Sequence, residues 1–297
     1  MPPFLGESAC LTAALLWAVS VVLFRGPIAA WGARTTNLVK CLLATVLLAI
    51  TLPFFGGYGD FLATPGRELG FIALSGVVGL SLGDTALFAA VGRLGAHRTL
   101  LFGTLAPVFA GALAAVLGER VSSTQLLGAG VVLGGVAIVV GPGNPDRNGG
   151  VRVAASGIVF ALLAALGQGF GVVIAKAGMG TIEVMSATLL RLAAGLAGLL
   201  LAAAATGRLT KIKDAVTDRE PMRRLVPASF LGTYLALLLM MAGVALAPAT
   251  VAAVLLATSP IFSLVIEAIA DRKRPTALAV LGTIIAVVGV AVLVNGG

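Results

Sequence analysis

Residues 105–140 read LAPVFAGALAAVLGERVSSTQLLGAGVVLGGVAIVV, and residues 259–294 read SPIFSLVIEAIADRKRPTALAVLGTIIAVVGVAVLV. Each stretch has a Pro-x-Phe triplet near its start, then an acid–base pair, then an apolar run with widely spaced glycines. The triplets begin at Pro107 and Pro260, and the pairs are Glu119-Arg120 and Asp271-Arg272. Charged residues and Pro-x-Phe rarely match in the same order by chance, so these matches indicate an internal duplication.

The duplication extends outward along nearly the whole chain at an offset of 151 to 154 residues. The further matched pairs are Arg25 with Lys176, Lys40 with Arg191, Gly79 with Gly232, Ala96 with Ala249, Gly128 with Gly282 and Gly135 with Gly289. We therefore predict that the two halves share one local fold.

The composition places the chain in a membrane. Of 297 residues, 59% are hydrophobic and only 11% are charged, with a mean hydropathy of +1.09, whereas soluble domains are about 45–50% apolar and about 25% charged. This excludes a soluble enzyme, a disordered tail and a fibrous protein. Cys10 and Cys41 lie in apolar runs without CxxC spacing, which gives no indication of a disulfide framework or a metal site.

A helix needs about 20 mostly apolar residues to cross the hydrocarbon core. On that criterion the chain contains ten spans: 6–24, 34–55, 69–92, 96–117, 123–141, 153–175, 182–205, 225–246, 248–270 and 276–294. We predict an all-α membrane protein with one five-helix repeat in residues 1–141, a linker at 142–152 and a second repeat in residues 153–297. Because five is odd, the second repeat enters the membrane inverted, which is an architecture of secondary transporters with a site near the midplane.

The two quoted stretches, together with Ala14-Leu15-Leu16-Trp17, resemble the EamA family of the drug/metabolite transporter superfamily. The resemblance covers essentially the whole chain and is strongest from Pro107 to Gly135. The second copy departs from the family's Gly-Glu-Arg and reads Ala270-Asp271-Arg272. The resemblance implies an exporter or facilitator of small metabolites, often amino acids or related compounds.

Asp84 is the most informative charge in the sequence. It lies about eight residues, or ~12 Å, from the end of the third span. An acid at this depth faces a cavity or a basic partner, or makes a structural hydrogen bond to a neighbouring helix. Lys40 and Arg191 occupy equivalent positions in spans two and seven, where they either line the two ends of a pathway or extend back to the interface.

Other polar and aromatic positions complete the predicted pathway. With Asp84, the candidate lining residues are Trp17, Ser20, Phe88, Gln168, Tyr234 and Met241. Pro107 and Pro260 lie near the centres of spans four and nine, where proline would kink the helix for packing or act as a hinge. The two acid–base pairs anchor helix ends at the interface, unless each finds a partner on another helix and forms a gate.

Two acids are candidates for proton coupling. Glu267 lies near the end of span nine and fits an interfacial anchor as well as a proton carrier. Asp84 lies deeper, where desolvation favours the neutral acid and a nearby Lys40 or Arg191 favours the carboxylate. The first effect would permit proton-driven export, and the second would leave passive flow.

We predict a secondary transporter or facilitator that alternates access around a site between the repeats. A flippase for lipid-linked cargo and a structural membrane subunit without flux are the alternatives. The sequence has no Walker A motif, and we expect no enzymatic activity, cofactor, metal or nucleic-acid partner. The expected partners are a small molecule, membrane lipid and, for an antiporter, protons, with the protein acting as a monomer in a bacterial-type inner membrane.

The charge distribution gives a testable topology. Fifteen Lys and Arg residues fall on the side opposite the termini and three on the terminal side. The positive-inside rule then places both termini outside, whereas the resemblance implies cytoplasmic termini. The charge count predicts that alkaline phosphatase fused to the C-terminus is active and that a cytoplasm-only fluorescent reporter is dark. The reverse pattern would show that the charge argument is wrong.

Overall fold

The computed structural model describes residues 4–54, 58–116, 122–140, 155–180, 182–246, 254–272 and 274–296. All regular elements in these ranges are helical, as the sequence predicts. In chain order the α-helices are α1 (Leu5–Thr51), α2 (Asp60–Ala63), α3 (Gly66–Gly76), α4 (Asp84–Leu94), α5 (Ala96–Gly103), α6 (Ala106–Val116), α7 (Ser123–Val140), α8 (Ala155–Gly178), α9 (Val184–Ala205), α10 (Leu209–Thr217), α11 (Arg219–Ala228), α12 (Ala236–Leu246), α13 (Ser259–Ala270) and α14 (Ala277–Asn295). The predicted linker and the Glu119-Arg120 pair lie outside the described residues.

Among the described residues, six helical stretches are long and apolar enough to cross a membrane. They are Leu5–Phe54, Gly66–Leu94, Ser123–Val140, Ala155–Gly178, Val184–Ala205 and Ala277–Asn295. The predicted span 96–117 is divided between α5 and α6, whereas residues 225–246 continue through α11, a π-helical segment and α12. Of the predicted span 248–270, the structure describes residues 254–270. The protein is therefore an integral membrane protein built from helices.

A break at Gly32 divides the first long stretch. A straight helix of 50 residues would extend about 75 Å, far more than the ~30 Å hydrocarbon core. At Gly32 the backbone leaves helical geometry, with φ 80° and ψ 168°, a conformation that glycine adopts without a steric penalty. The arm before the break continues well past the predicted end at residue 24, because Ile28 to Trp31 extend its apolar surface.

Spans four and nine are broken at matching places, which corrects the expected position of the two prolines. Turns at 104–105 and 257–258 interrupt the helices, and Pro107 and Pro260 lie in the first turns of α6 and α13 rather than in helix interiors. Proline is favoured there because the first amides of a helix need no partner within it. Thr104 and Thr258 donate side-chain hydrogen bonds to the carbonyls of Leu101 and Leu255 at 2.7 and 2.5 Å.

The final spans of the two halves pack against each other through glycines. A Cβ added to Gly135 of α7 would lie 2.5 Å from the backbone nitrogen of Ala286 and 2.6 Å from the carbonyl oxygen of Gly282 in α14. Gly128 and Gly289 make similarly close approaches to the facing helix. Small residues at these positions allow the two backbones to meet, as is common between helices in lipid.

The basic segment between spans seven and eight forms α10 and α11. In α10, Leu209 and Val216 are half exposed, whereas Ile212 and Ala215 pack against α1. The apolar residues of α10 are therefore divided between a part covered by protein and an exposed part. Asp218, between the two helices, accepts a hydrogen bond from the Trp31 indole at 3.1 Å.

A pair of adjacent glycines tests the α7–α14 packing. Gly135→Val should lower the thermal unfolding temperature of the detergent-purified protein by several degrees, because its Cβ meets the α14 backbone. Gly134→Val, on the open side of the same helix, is the matched control and should change it little, since no atom lies within 4 Å of an added Cβ. Equal losses in the two variants would contradict the close packing.

Candidate functional site

A buried ion pair lies between α1 and α4. The Lys40 ammonium donates a hydrogen bond to Oδ2 of Asp84, and each residue is only 1% exposed. The Phe88 ring centroid lies 5.2 Å from the Lys40 nitrogen, and the Phe24 and Phe88 centroids are 4.8 Å apart. Lys40 therefore does not extend to an interface, because its charge is neutralised by a carboxylate inside the bundle.

Gln168 joins this ion pair from the second half of the chain. Its side-chain amide, on α8, donates a 2.7 Å hydrogen bond to Oδ1 of Asp84. Both carboxylate oxygens of Asp84 are thus engaged, one by a residue from each half. This satisfies the buried acid, since an unpaired carboxylate in lipid would be strongly unfavourable.

A π-helical segment places Asp84 at this junction. Residues Val77–Gly83 connect α3 to α4, and the Asp84 backbone amide donates to the Gly79 carbonyl, five residues back. That shift removes the usual α-helical partner of the Leu80 carbonyl, which instead accepts a 2.8 Å hydrogen bond from Asn37. Asn37 also donates to the Thr85 hydroxyl at 3.0 Å, so it holds α1 against the segment one turn from Lys40.

A second π-helical segment lies at the equivalent position of the second half. It covers Ser229–Leu235, and Ala236, the first residue after it, donates its amide to the Leu231 carbonyl. The Cβ that Gly232 lacks would come within 1.9 Å of the Ser20 hydroxyl, so Ser20 packs tightly against this segment. π-Helical segments are rare and are frequent at functional sites, which makes the paired occurrence notable.

Arg191 lies on α9 against the first π-helical segment. Its Nη2 is 3.4 Å from the position that a Cβ on Gly79 would occupy, and atoms of Gly167 and Gly171 of α8 lie 3.8 Å from the same position. Its Nε is buried and has no hydrogen-bond partner.

The remaining predicted lining residues divide between two places. Trp17 is partly buried and packs on the apolar cluster that contains Phe88. Ser20 donates to the Trp17 carbonyl at 2.8 Å. Tyr234 stacks on Phe230 with centroids 5.5 Å apart and packs against Leu48 and Leu189, away from Asp84. The side chain of Met241 lies outside the described residues.

A second charged cluster connects the halves at one end of the bundle. Both Glu267 oxygens accept backbone hydrogen bonds at the start of α5, from Ala96 at 2.7 Å and from His97 at 3.1 Å. Arg25 lies 3.6 Å from Glu267 and donates to both oxygens of Asp271 at 3.2 Å. Glu267, 7% exposed, is therefore a helix cap fixed by two amides. Of the two predicted acid–base pairs, the second does find a partner on another helix.

His97 extends this cluster into the bundle. Its Nδ1 is 3.1 Å from the Pro260 carbonyl oxygen, and its Nε2 is 3.5 Å from the Thr283 hydroxyl. The break in span nine is thereby tied to the start of α5. Among the described residues, no group of three or more His, Cys, Asp and Glu side chains gathers as metal ligands.

Sequence reasoning missed the role of Asn37 and the two π-helical segments. Asn37 could have been found, because an amide three residues before Lys40 shares its helix face. The π-helical segments have no comparable signal, since Val77–Gly83 reads as ordinary apolar helix.

Comparison with known proteins shows the family to which the chain belongs. The profile of the EamA-like transporter family matches residues 4–141 and, a second time, residues 155–295. The chain belongs to the EamA-like transporter family. The family is part of the drug/metabolite transporter superfamily and consists of transporters rather than enzymes, so the resemblance read from the sequence is confirmed.

The fold of this EamA-like transporter is also found among solved structures. One, described only as a crystal structure of a protein, superposes with a TM-score of 0.64 over 97% of this chain and 95% of its own, at 17% identity. At that identity the similarity shows the fold alone. No curated protein matches the chain.

The buried ion pair of the EamA-like transporter can be tested by single and double neutralisation. Lys40→Met and Asp84→Asn should each lower the free energy of unfolding by about 3 kcal/mol, because each leaves an uncompensated buried charge. The double variant should lose clearly less than the sum, since it removes both charges. Thermal or denaturant unfolding in detergent measures all three variants. Fully additive losses would contradict a direct pairing.

Proposed function

We propose that the protein is a secondary transporter of small metabolites such as amino acids or related compounds, acting as exporter or facilitator in a bacterial-type inner membrane. Its ten spans would form two inverted five-helix repeats. Access would alternate between the two sides of the membrane around a site between those repeats.

The observation that carries this proposal is the polar cluster between the two matched repeats. Lys40 and Asp84 come from the first repeat, and Gln168 and Arg191 from the second. Asp84 lies eleven residues, or about 16 Å, from the chain break at Gly95, which is near the middle of a ~30 Å core. Polar groups at that depth are unfavourable unless they serve a function, so their position between repeats supports a transport site.

The charged cluster at Arg25 supports alternating access. Arg25 belongs to the first repeat, and Glu267 and Asp271 to the second, so their contacts hold the repeats together at one end. A rocking motion about the deep ion pair would open these partly exposed contacts first. The breaks before Pro107 and Pro260 supply matching places where half-helices could tilt.

Asp84 is the better of the two candidate proton carriers. Glu267 is engaged as a cap by two backbone amides. Asp84 is engaged by the side chains of Lys40 and Gln168, and its contact with Gln168, which crosses between the repeats, can separate when the repeats move. Proton exchange at Asp84 would thus coincide with the change in access, which favours proton-linked export over passive flow.

Purified protein in liposomes tests the function. Vesicles loaded with unlabelled amino acids should accumulate a labelled amino acid by counterflow, and an imposed pH gradient should drive uptake. Asp84→Asn should abolish gradient-driven uptake and leave exchange measurable, because the variant cannot release a proton at this site. Glu183→Gln, which neutralises an exposed acid, is the control.

The same vesicles separate the alternatives. Lipid headgroup translocation without solute counterflow would favour a flippase, and neither activity would favour a structural subunit. If uptake by the wild-type protein is the same with and without a pH gradient, transport is not coupled to protons, and Asp84 has a structural role.

A further inference from the structure

We propose that Arg191 binds the carboxylate of the transported metabolite, so that the substrates are small monoanionic or zwitterionic carboxylates. This inference rests on the proposed transport function. Arg191 corresponds to Lys40 of the first repeat. Unlike Lys40, it has no carboxylate paired with it among the described residues.

The two repeats place equivalent cations but only one matching anion. Lys40 and Arg191 correspond in the internal alignment, and each lies beside the first π-helical segment or its flank. The first residue after that segment is Asp84, which pairs with Lys40, whereas the first residue after the second segment is Ala236. The second repeat therefore has no carboxylate at the position that corresponds to Asp84.

Arg191 also has unused hydrogen-bonding capacity. Among the described residues its side chain makes no hydrogen bond or ion pair, and its buried Nε is unpartnered. A buried guanidinium donor without an acceptor is unfavourable by roughly 1–3 kcal/mol or more. Both Asp84 oxygens are already engaged by Lys40 and Gln168, so this acid does not satisfy Arg191.

The position of the guanidinium is fixed by backbone packing. A Cβ on Gly76 would lie 2.2 Å from the Arg191 carbonyl oxygen, so α9 is in close contact with α3 at this residue. Its Nη2 then lies near Gly79, between α9 and the α8 glycines Gly167 and Gly171. At least this donor group is therefore directed toward the first π-helical segment and α8, and the residue as a whole is partly exposed.

The charge balance selects the ligand class. Lys40, Asp84 and Arg191 together carry one net positive charge in a low-dielectric interior. A single carboxylate would neutralise it and would match the planar fork of guanidinium donors. A dianionic phosphate would leave a net negative charge instead. Phe88 adjoins the cluster and packs on Phe24, which suits a carboxylate with an apolar remainder.

Charged thiol reagents test the site without knowledge of the substrate. In a Cys10→Ala/Cys41→Ala background, Gln168→Cys places a reporter beside the cluster without changing its net charge. The reporter is treated with an anionic sulfonatoethyl and a cationic trimethylammonioethyl methanethiosulfonate. Relative to the rate of each reagent with a free thiol, the anionic reagent should react about tenfold faster than the cationic one, since the unpaired cation attracts it.

Arg191→Gln in the reporter protein should remove this preference, and Arg191→Lys should retain most of it. Arg93→Gln is the matched control, because Arg93 already donates to the Ala89 carbonyl at 2.7 Å and stacks on Phe160. It should leave the ratio unchanged. No reaction at the reporter, equal rates for the two reagents, or a preference that survives Arg191→Gln would each overturn the inference.

Counterflow distinguishes this inference from the transport proposal. Leucine and 4-methylpentanoate carry the carboxylate, and leucinamide has the same side chain without it. If labelled leucine exchanges, unlabelled 4-methylpentanoate should compete with it at least tenfold better than leucinamide, and competition by leucinamide alone would overturn carboxylate recognition. Anionic reagent preference without any solute exchange would uphold the anion site and reject the transport function.

Discussion

The absence of water in the hydrocarbon core is the constraint on which the described structure depends. At the depth of Asp84 there is no water to donate hydrogen bonds to a carboxylate, so the bundle must supply the donors. It does so with Lys40 from the same repeat and Gln168 from the other. The most deeply buried charge is consequently also a contact between the two halves. If the repeats move against each other, as proposed, Asp84 must exchange the hydrogen bond that it accepts from Gln168.

The internal symmetry explains much of the architecture, and its violations identify the chemistry. Both repeats contain a π-helical segment, a broken helix with proline in the first turn of its second half, and glycines that bring their last spans together. These features are backbone properties that duplication preserves. The charges are not duplicated in the same way, because the residue after the π-helical segment is Asp84 in the first repeat and Ala236 in the second, and Gln168 corresponds to Trp17. The polar cluster is thereby asymmetric within a nearly symmetric scaffold.

The two charged clusters are suited to different tasks. The Arg25 cluster is partly exposed, so its ion pairs are weak and can open with little change in free energy. The Lys40–Asp84 pair is buried, where breaking it without replacement is strongly unfavourable. The proposed alternating access would need a surface contact that opens easily, as the Arg25 cluster can. It would also need a deep contact, such as Lys40–Asp84, that opens only when another charged or polar group replaces one partner.

The sequence alone determined the class of protein, its duplication and the residues around Asp84. Apolar content and span length indicate membrane insertion. An acid within an apolar span indicates that a hydrogen-bonding or charged partner lies nearby, whatever the tertiary arrangement. It also placed Phe88 and Gln168 at the depth of Asp84, because position along a helix fixes depth, and the structure shows contacts among these residues and Lys40.

Only the tertiary structure decided which partner each residue has. Lys40 and Arg191 are equivalent in sequence, yet one is neutralised and the other is not, because helix rotation and the one-residue offset of a π-helical segment determine what faces them. The prolines were predicted in helix interiors and instead lie in first turns, since the chain breaks before them in a way that hydropathy does not record. The depth of a residue in the membrane follows from its position along a helix, which the sequence contains. The neighbours of its side chain depend on how the helices pack, which the sequence does not show directly.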